Sequence, residues 1–244
     1  PVQYVNRPNL DVRGFCGTIA SGIVRRNDEV MALPSRRKSR VKSIVAFDGE
    51  MEEAFTDQSV TLTLEDEIDV SRGDMIVRPG NVPNQQQKFD AMVVWMHDEQ
   101  MIPGNTYLFK QAAKSVTGTI DTLRYEVDVN TLHRVDSPTL HLNEIGRCSV
   151  SLSEPVCFDS YRRNRTTGAF IIVHRITNVT LAAGMIVDRR TGDERRDHWD
   201  DEPQAAELHS EASKVTTAEH EARYGQRAAT ILLTGLTGSG KTAL

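Results

Sequence analysis

The chain has 244 residues and a formal net charge of −5, with 39% hydrophobic and 26% charged residues. That balance fits a soluble globular protein of one to three domains and argues against a disordered chain or a broad binder of nucleic acid. No apolar run is long enough to cross a bilayer as a helix, so no membrane association is expected.

Pro1-Val2-Gln3-Tyr4-Val5-Asn6 lacks a basic-then-apolar signal pattern and an initiating Met, and reads as the start of a fragment. Residues 1–82 then read as short strands punctuated by turns. Residues 14–24 are interrupted by Gly14, Gly17 and Gly22, and Asn27-Asp28 marks a turn before Glu29-Val30-Met31-Ala32-Leu33-Pro34. Residues 40–47 and 59–64 alternate polar and apolar, the period of a half-buried strand, and Asp48-Gly49 between them is a turn signal. Residues 68–77 complete the unit before Arg78-Pro79-Gly80. Many short strands at this spacing predict a small closed barrel.

Val82-Pro83-Asn84-Gln85-Gln86-Gln87 has the composition of a linker. Residues 88–187 repeat the style of the first unit, with strands predicted at 88–96, 107–110, 115–120, 125–129, 147–152, 168–173 and 180–187. They predict a second all-β barrel. At Asp188 the composition shifts to mixed charge, and residues 188–227 read as an inter-domain linker. Cys16, Cys148 and Cys157 form no C-x-x-C pair and read as reduced thiols of a cytoplasmic protein.

Residues 228–244 open a different fold. The apolar run Ala228-Ala229-Thr230-Ile231-Leu232-Leu233-Thr234 predicts a buried strand. It leads into Gly235-Leu236-Thr237-Gly238-Ser239-Gly240-Lys241-Thr242, which fits the phosphate-binding pattern G-x-x-x-x-G-K-[ST]. Glycines at 235, 238 and 240 let the backbone approach a phosphate closely, and successive N–H groups can then cradle its oxygens. A following helix N-terminus would add its own N–H groups. In such loops the lysine, here Lys241, reaches the β- and γ-phosphates of ATP, and the hydroxyl of Thr242 ligates Mg²⁺. The predicted fold class is therefore mainly β: two tandem barrels, a linker, and the strand and P-loop of a truncated α/β kinase domain.

Longer stretches carry a family resemblance. Pro1-Val2-Gln3-Tyr4-Val5 with residues 13–22 resembles the second domain of translation-factor-like GTPases such as elongation factor Tu. Ile68-Asp69-Val70-Ser71-Arg72-Gly73-Asp74, Leu142-Asn143-Glu144-Ile145-Gly146, and residues 159–171 and 177–186 resemble the large, GTP-hydrolysing subunit of bacterial sulfate adenylyltransferase. Residues 226–242 resemble the start of adenylylsulfate kinase. Together they resemble the fused sulfate-activation enzyme, whose best-known form is the nodulation sulfation protein of root-nodule bacteria.

The resemblance implies two reactions. ATP and sulfate give adenylylsulfate and pyrophosphate, driven by GTP hydrolysis, and a kinase then uses a second ATP to make 3′-phosphoadenylylsulfate. It implies ATP, GTP and Mg²⁺ as cofactors and a separate small subunit as partner. In the nodulation setting the product feeds sulfation of a lipo-oligosaccharide signal. Only Gly235, Leu236, Thr237, Gly238, Ser239, Gly240, Lys241 and Thr242 carry over as binding residues. A GTPase domain is expected before Pro1, where the GTP site would lie, and a kinase body after Leu244. Residues 1–244 alone are expected to be inactive. The alternative is a translation factor's barrel pair acting as a binding module, but translation factors place their P-loop before the barrels.

Other polar residues have structural readings. Arg162, Arg163 and Arg165 could grip a phosphate or a partner carboxylate, though charge patterning favours a solvated hairpin turn. Arg36-Arg37-Lys38 reads as a solvated loop, and His198, His209 and His220 are not taken as a metal site. Asp66 and Asp69 are placed on barrel turns without an acid–base role.

Overall fold

Alternating β-branched, aromatic and polar side chains favour extended backbone. Strands supply nearly all the regular structure in residues 1–7, 13–129 and 131–187, which the computed structural model describes. The predicted linker 188–227 and the segment 228–244 lie outside the described residues. The first unit contains β1 (Tyr4–Asn6), β2 (Gly14–Thr18), β3 (Ile23–Arg25), β4 (Glu29–Leu33), β5 (Lys38–Ala46), β6 (Gly49–Met51), β7 (Glu53–Phe55), β8 (Ser59–Leu64) and β9 (Met75–Val77). Its antiparallel sheet runs β1-β2-β8-β5-β4-β9, with β6 on β5 and a separate β3–β7 ribbon.

The alternation predicted for β5 is present but slips once. Its register against β8 shifts between Val41 and Ser43. That irregularity lets Val41 and Ile44, three residues apart, both point into the core.

Closure of this unit differs from the prediction. Among the described residues its sheet is an open path with β1 and β9 at its ends. The ends meet through two backbone hydrogen bonds, Val2 N to Asp74 O at 2.8 Å and Gly73 N to Val2 O at 2.9 Å. β9 is only three residues long, and Pro79 soon removes a donor. Within the segment 68–77 expected to complete the unit, β9 forms only at its end, and residues 68–74 are a loop that tucks Ile68 and Val70 into the core.

The second unit contains β10 (Asn84–Trp95), β11 (Thr106–Gln111), β12 (Lys114–Val127), β13 (Arg134–Val135), β14 (Ile145–Phe158), α1 (Arg165–Gly168), β15 (Ala169–Val173) and β16 (Thr180–Val187). The order β11-β15-β16-β10-β14-β12 closes on itself through a β11–β12 pairing, giving a six-stranded antiparallel barrel. β13 adds to β12. The linker prediction fails from Asn84 onward, because β14 extends to Phe158 and supplies partners for Asn84, Gln85 and Gln86. Backbone pairing needs no apolar side chain, so a polar stretch serves as strand.

Phe89, Ala91, Val93 and Trp95 alternate inward along β10 and join one core cluster. Ring centroids lie 5.2 Å apart for Phe89–Phe158 and 5.6 Å apart for Phe109–Phe170, within the range of favourable aromatic contact. Gly184 makes room for this packing, since a Cβ there would lie 2.1 Å from Phe170 Cζ. On the other face of β10, buried Asp90 accepts a hydrogen bond from Ser149 Oγ at 2.8 Å. It also pairs with Arg124 at 3.1 Å and Arg147 at 3.5 Å. Its charge is therefore buried with partners, as the desolvation penalty requires.

The barrel has two distinct ends. One carries the β11–β12 hairpin and residues 159–168, and meets the first unit. The opposite end carries residues 96–105, 128–144 and 174–179.

Candidate functional site

The predicted ATP-binding residues Gly235, Leu236, Thr237, Gly238, Ser239, Gly240, Lys241 and Thr242 lie outside the described residues. Within the described residues, the two units converge on a cavity of about 450 Å³. Its apolar wall comes mostly from the first unit, including Phe15, Ile19, Leu62 and Ile76, and its polar rim includes Arg78, Asn81, Asp159, Arg163 and Asn164.

Asn164 organises that rim. Its Oδ1 accepts from Thr166 N at 2.9 Å and Thr167 N at 3.2 Å, capping the N-terminus of α1. Its Nδ2 donates to Ala20 O of the first unit at 3.1 Å. Arg163 Nη2 donates to Asn81 Oδ1 at 2.9 Å, and its Nε lies 3.7 Å from Asp159. Behind the helix, buried Gln111 donates Nε2 to Thr167 O at 2.6 Å and to Cys157 O at 3.1 Å. The segment is thus fastened both to its own barrel and to the neighbouring unit.

A second approach lies at Gly73, whose φ of +94° favours glycine and where an added Cβ would come within 3.1–3.2 Å of Lys114. The surrounding motif is structural. Arg13 donates to Ile68 O at 3.0 Å, Val70 O at 3.0 Å and Asp69 Oδ1 at 2.9 Å. Asp74 Oδ2 accepts from Ser71 N at 2.8 Å. Asp66 likewise accepts from Ser39 Oγ at 2.9 Å.

Electrostatically the rim is satisfied. Arg78 pairs with Asp28 at 2.7 Å, and this hydrogen bond holds the Asp28 carboxyl below the usual aspartate range. Cys16, on the wall, has its Sγ 3.3 Å from Thr61 Oγ1. Burial pushes the Cys157 thiol up, and the Cys148 thiol up to about 12, which keeps both protonated at neutral pH. No group of three or more His, Cys, Asp or Glu among the described residues could hold a metal. The arrangement holds the two units together and shapes a cavity between them.

Sequence patterning read Arg162, Arg163 and Arg165 as a solvated hairpin turn; the structure places a turn at residues 161–163, with all three arginines exposed, and starts the short helix α1 at Arg165. Arg163 bridges the units, and Arg165 lies over the Tyr161 ring at 5.9 Å. Arg36 and Arg37 are exposed, and Lys38 pairs with Glu29 at 3.0 Å. Asn164 and Gln111 were missed. Asn before Arg165-Thr166-Thr167 is a capping signal, but Gln111 carries no local signal.

Comparison with known proteins fits this architecture. Residues 88–187 match the family described as GTP-eEF1A C-terminal domain-like. A crystal structure of sup35 complexed with GDP superposes with a TM-score of 0.70 at 17% identity, covering 77% of this chain and 46% of that one. That likeness shows the barrel fold alone.

Sequence similarity reaches further. All 244 residues are 60% identical to the bifunctional enzyme CysN/CysC of Rhodopirellula baltica, of which the chain covers 38%. Sulfate adenylyltransferase subunit 1 of Alteromonas mediterranea is 54% identical over 193 residues, 79% of this chain and 41% of that protein. The chain is similar along its whole length to the CysN/CysC enzyme and over most of it to sulfate adenylyltransferase subunit 1. Its counterpart in Shewanella woodyi is 58% identical over 185 residues, 76% of this chain and 39% of the relative. The chain thus spans about two fifths of the length of these relatives. Among the described residues no helix is long and apolar enough to cross a membrane.

Proposed function

We propose that this chain is the barrel pair and kinase entry of a cytoplasmic, fused sulfate-activation enzyme. The observation that carries the reading is the 60% identity to the CysN/CysC enzyme across the whole chain, whereas the two subunit 1 relatives above match only 185 and 193 residues. The domain division that goes with it is 1–82, 88–187, linker 188–227 and kinase entry 228–244. In this reading the protein works with a separate small subunit. GTP hydrolysis drives formation of adenylylsulfate from ATP and sulfate, and a second ATP is spent on its 3′-phosphorylation.

Gly235 to Thr242 would hold the phosphates of that second ATP. Lys241 supplies a fixed positive charge at the β/γ-phosphates, and Thr242 a hydroxyl ligand for Mg²⁺, which would neutralise developing charge. The barrels contribute position rather than chemistry: their shared rim is saturated by mutual contacts, as suits a scaffold. Sulfation of a nodulation signal is the finer reading of the product's use, and it rests on the sequence resemblance alone.

Growth on sulfate as sole sulfur source tests the general reading. The longer protein carrying this chain should complement a strain lacking the large subunit of sulfate adenylyltransferase, and failure to do so would overturn it. Lys241→Ala in that protein should abolish 3′-phosphoadenylylsulfate formation while adenylylsulfate still accumulates. Unchanged kinase activity would remove the phosphate-loop assignment.

A further inference from the structure

The exposed apolar residues of the described chain are distributed unevenly. Of its fourteen exposed large hydrophobic side chains, eight lie on the loops at the end of the second barrel that points away from residues 159–168. The loop between β10 and β11 carries Met96 and Ile102, and the turn before β14 carries Leu142. Val129, Leu132 and Val135 sit around the β12–β13 connection. The β15–β16 hairpin carries Val179 and, most prominently, Ile176, which is 86% exposed. Backbone bonds draw three of these loops together: Met96 N donates to Leu181 O at 2.8 Å, and Asn143 N donates to Trp95 O at 2.8 Å.

Between the loops opens a recess of about 820 Å³ lined by Trp95, Tyr107, Ile102, Ile176, His97 and His174. Its floor is firm. Trp95 is buried and donates Nε1 to Glu99 O at 2.6 Å, and the rings of Trp95 and Tyr107 pack edge to face at 5.8 Å. His174 Nδ1 accepts from Thr177 N at 3.1 Å, which fixes the hairpin that presents Ile176. Glu99, Gln100, Asn105, Thr106 and Arg175 also line it, so an aromatic floor flanked by Ile102 and Ile176 sits inside a polar rim, the form that anchor pockets of protein interfaces take. Exposed apolar side chains such as Ile102 and Ile176 beside a concave aromatic floor mark an interaction site.

Charge decides the class of occupant. The loops carry Asp98, Glu99, Asp128, Asp136 and Glu144 against Arg134 and Arg175. An acidic surround repels phosphate backbones and anionic headgroups, so nucleic acid and membrane surfaces are disfavoured. A polypeptide with an apolar patch and a mixed or basic rim suits it.

We propose that this end of the second barrel is the docking face for a separate folded polypeptide, the second subunit of the enzyme, which inserts an apolar side chain between Ile102 and Ile176. The proposal rests on the subunit reading above, which the name "subunit 1" of the relatives supports.

The test mixes the purified chain with the small subunit of sulfate adenylyltransferase encoded in the same genome, and measures association by calorimetry and sedimentation. Ile102→Glu and Ile176→Glu should each weaken association at least tenfold. Phe47→Glu, at the fully exposed tip of the β5–β6 hairpin, should leave it unchanged. Circular dichroism checks that the variants are folded. Hydrogen exchange on the unmutated chain should show protection of residues 96–105 and 174–179 when the subunit is added.

Association undiminished in both variants, or protection elsewhere only, would overturn the docking face and leave the subunit reading standing. Absence of any association by the unmutated chain would overturn both. Self-association abolished by Ile176→Glu would make this face a contact between copies and would likewise overturn the proposal.

Discussion

Substituting Asn164 by serine and by alanine separates two roles of one side chain. Its Oδ1 caps α1, and its Nδ2 reaches Ala20 O of the other unit. Serine is also a good cap but is too short to reach Ala20, so it removes only the inter-unit bond. A hydrogen bond of this kind contributes about 1 kcal/mol net. Alanine removes the cap as well, which costs about a further 1 kcal/mol. For a folded body of 150–250 residues each kcal/mol lowers Tm by roughly 2–4 °C. The serine variant should therefore melt roughly 2–4 °C below the wild type, and the alanine variant about 4–8 °C below. Fluorescence-detected unfolding in a Trp199→Phe background leaves Trp95 as the sole indole reporter. A serine variant as stable as the wild type would show that the contact across the units contributes nothing. Equal losses in the two variants would remove the cap from the account.

Three other outcomes follow from packing and titration. Gly184→Val forces atoms onto Phe170 and should cost about 1–3 kcal/mol or more, read as a lowered urea midpoint; an unchanged midpoint would refute the close approach. Cys148, buried and with its thiol pushed up to about 12, should escape alkylation at pH 8 until denaturant is added; mass spectrometry showing native-state labelling would contradict this. The Asp28 carboxyl is held below its ordinary value by Arg78, so its contribution is full above the ordinary aspartate pKa of about 4 and is lost as pH falls through the lowered one. Asp28→Asn should therefore be less stable than the wild type at pH 7 and converge with it in acid, and a stability gap constant down to pH 2.5 would refute the pairing.

The second barrel was legible because its strands alternate cleanly: Phe89, Ala91, Val93 and Trp95 announce their face without help from the rest of the chain. The beginning of β10 was not, because Asn84 to Gln86 are held by backbone bonds to a strand about seventy residues later, which composition does not reveal. Closure of the first unit was overestimated for a similar reason: whether two ends pair as strands or meet at single bonds depends on Val2, Gly73 and Asp74 in space. At the candidate site, a cap at Asn164 could be read from its neighbours, but its bond to Ala20 spans 144 positions and that of Arg163 to Asn81 spans 82. The plainest chemical pattern in the sequence, the glycine spacing and lysine of Gly235 to Thr242, lies outside the described residues.

The pairing of β11 with β12 that closes the second barrel has a consequence for how this half can meet other chains. Where its strands are paired on both sides, a ring offers no template along which a foreign peptide could lengthen the sheet; among the described residues, Asn84–Phe89 of β10 and Asp121–Tyr125 of β12 have a strand partner on one side only. Among the described residues the open sheet is that of the first unit, whose terminal strands β1 and β9 are three residues each. Over the closed part of the second half, a partner meets side chains rather than free backbone amides.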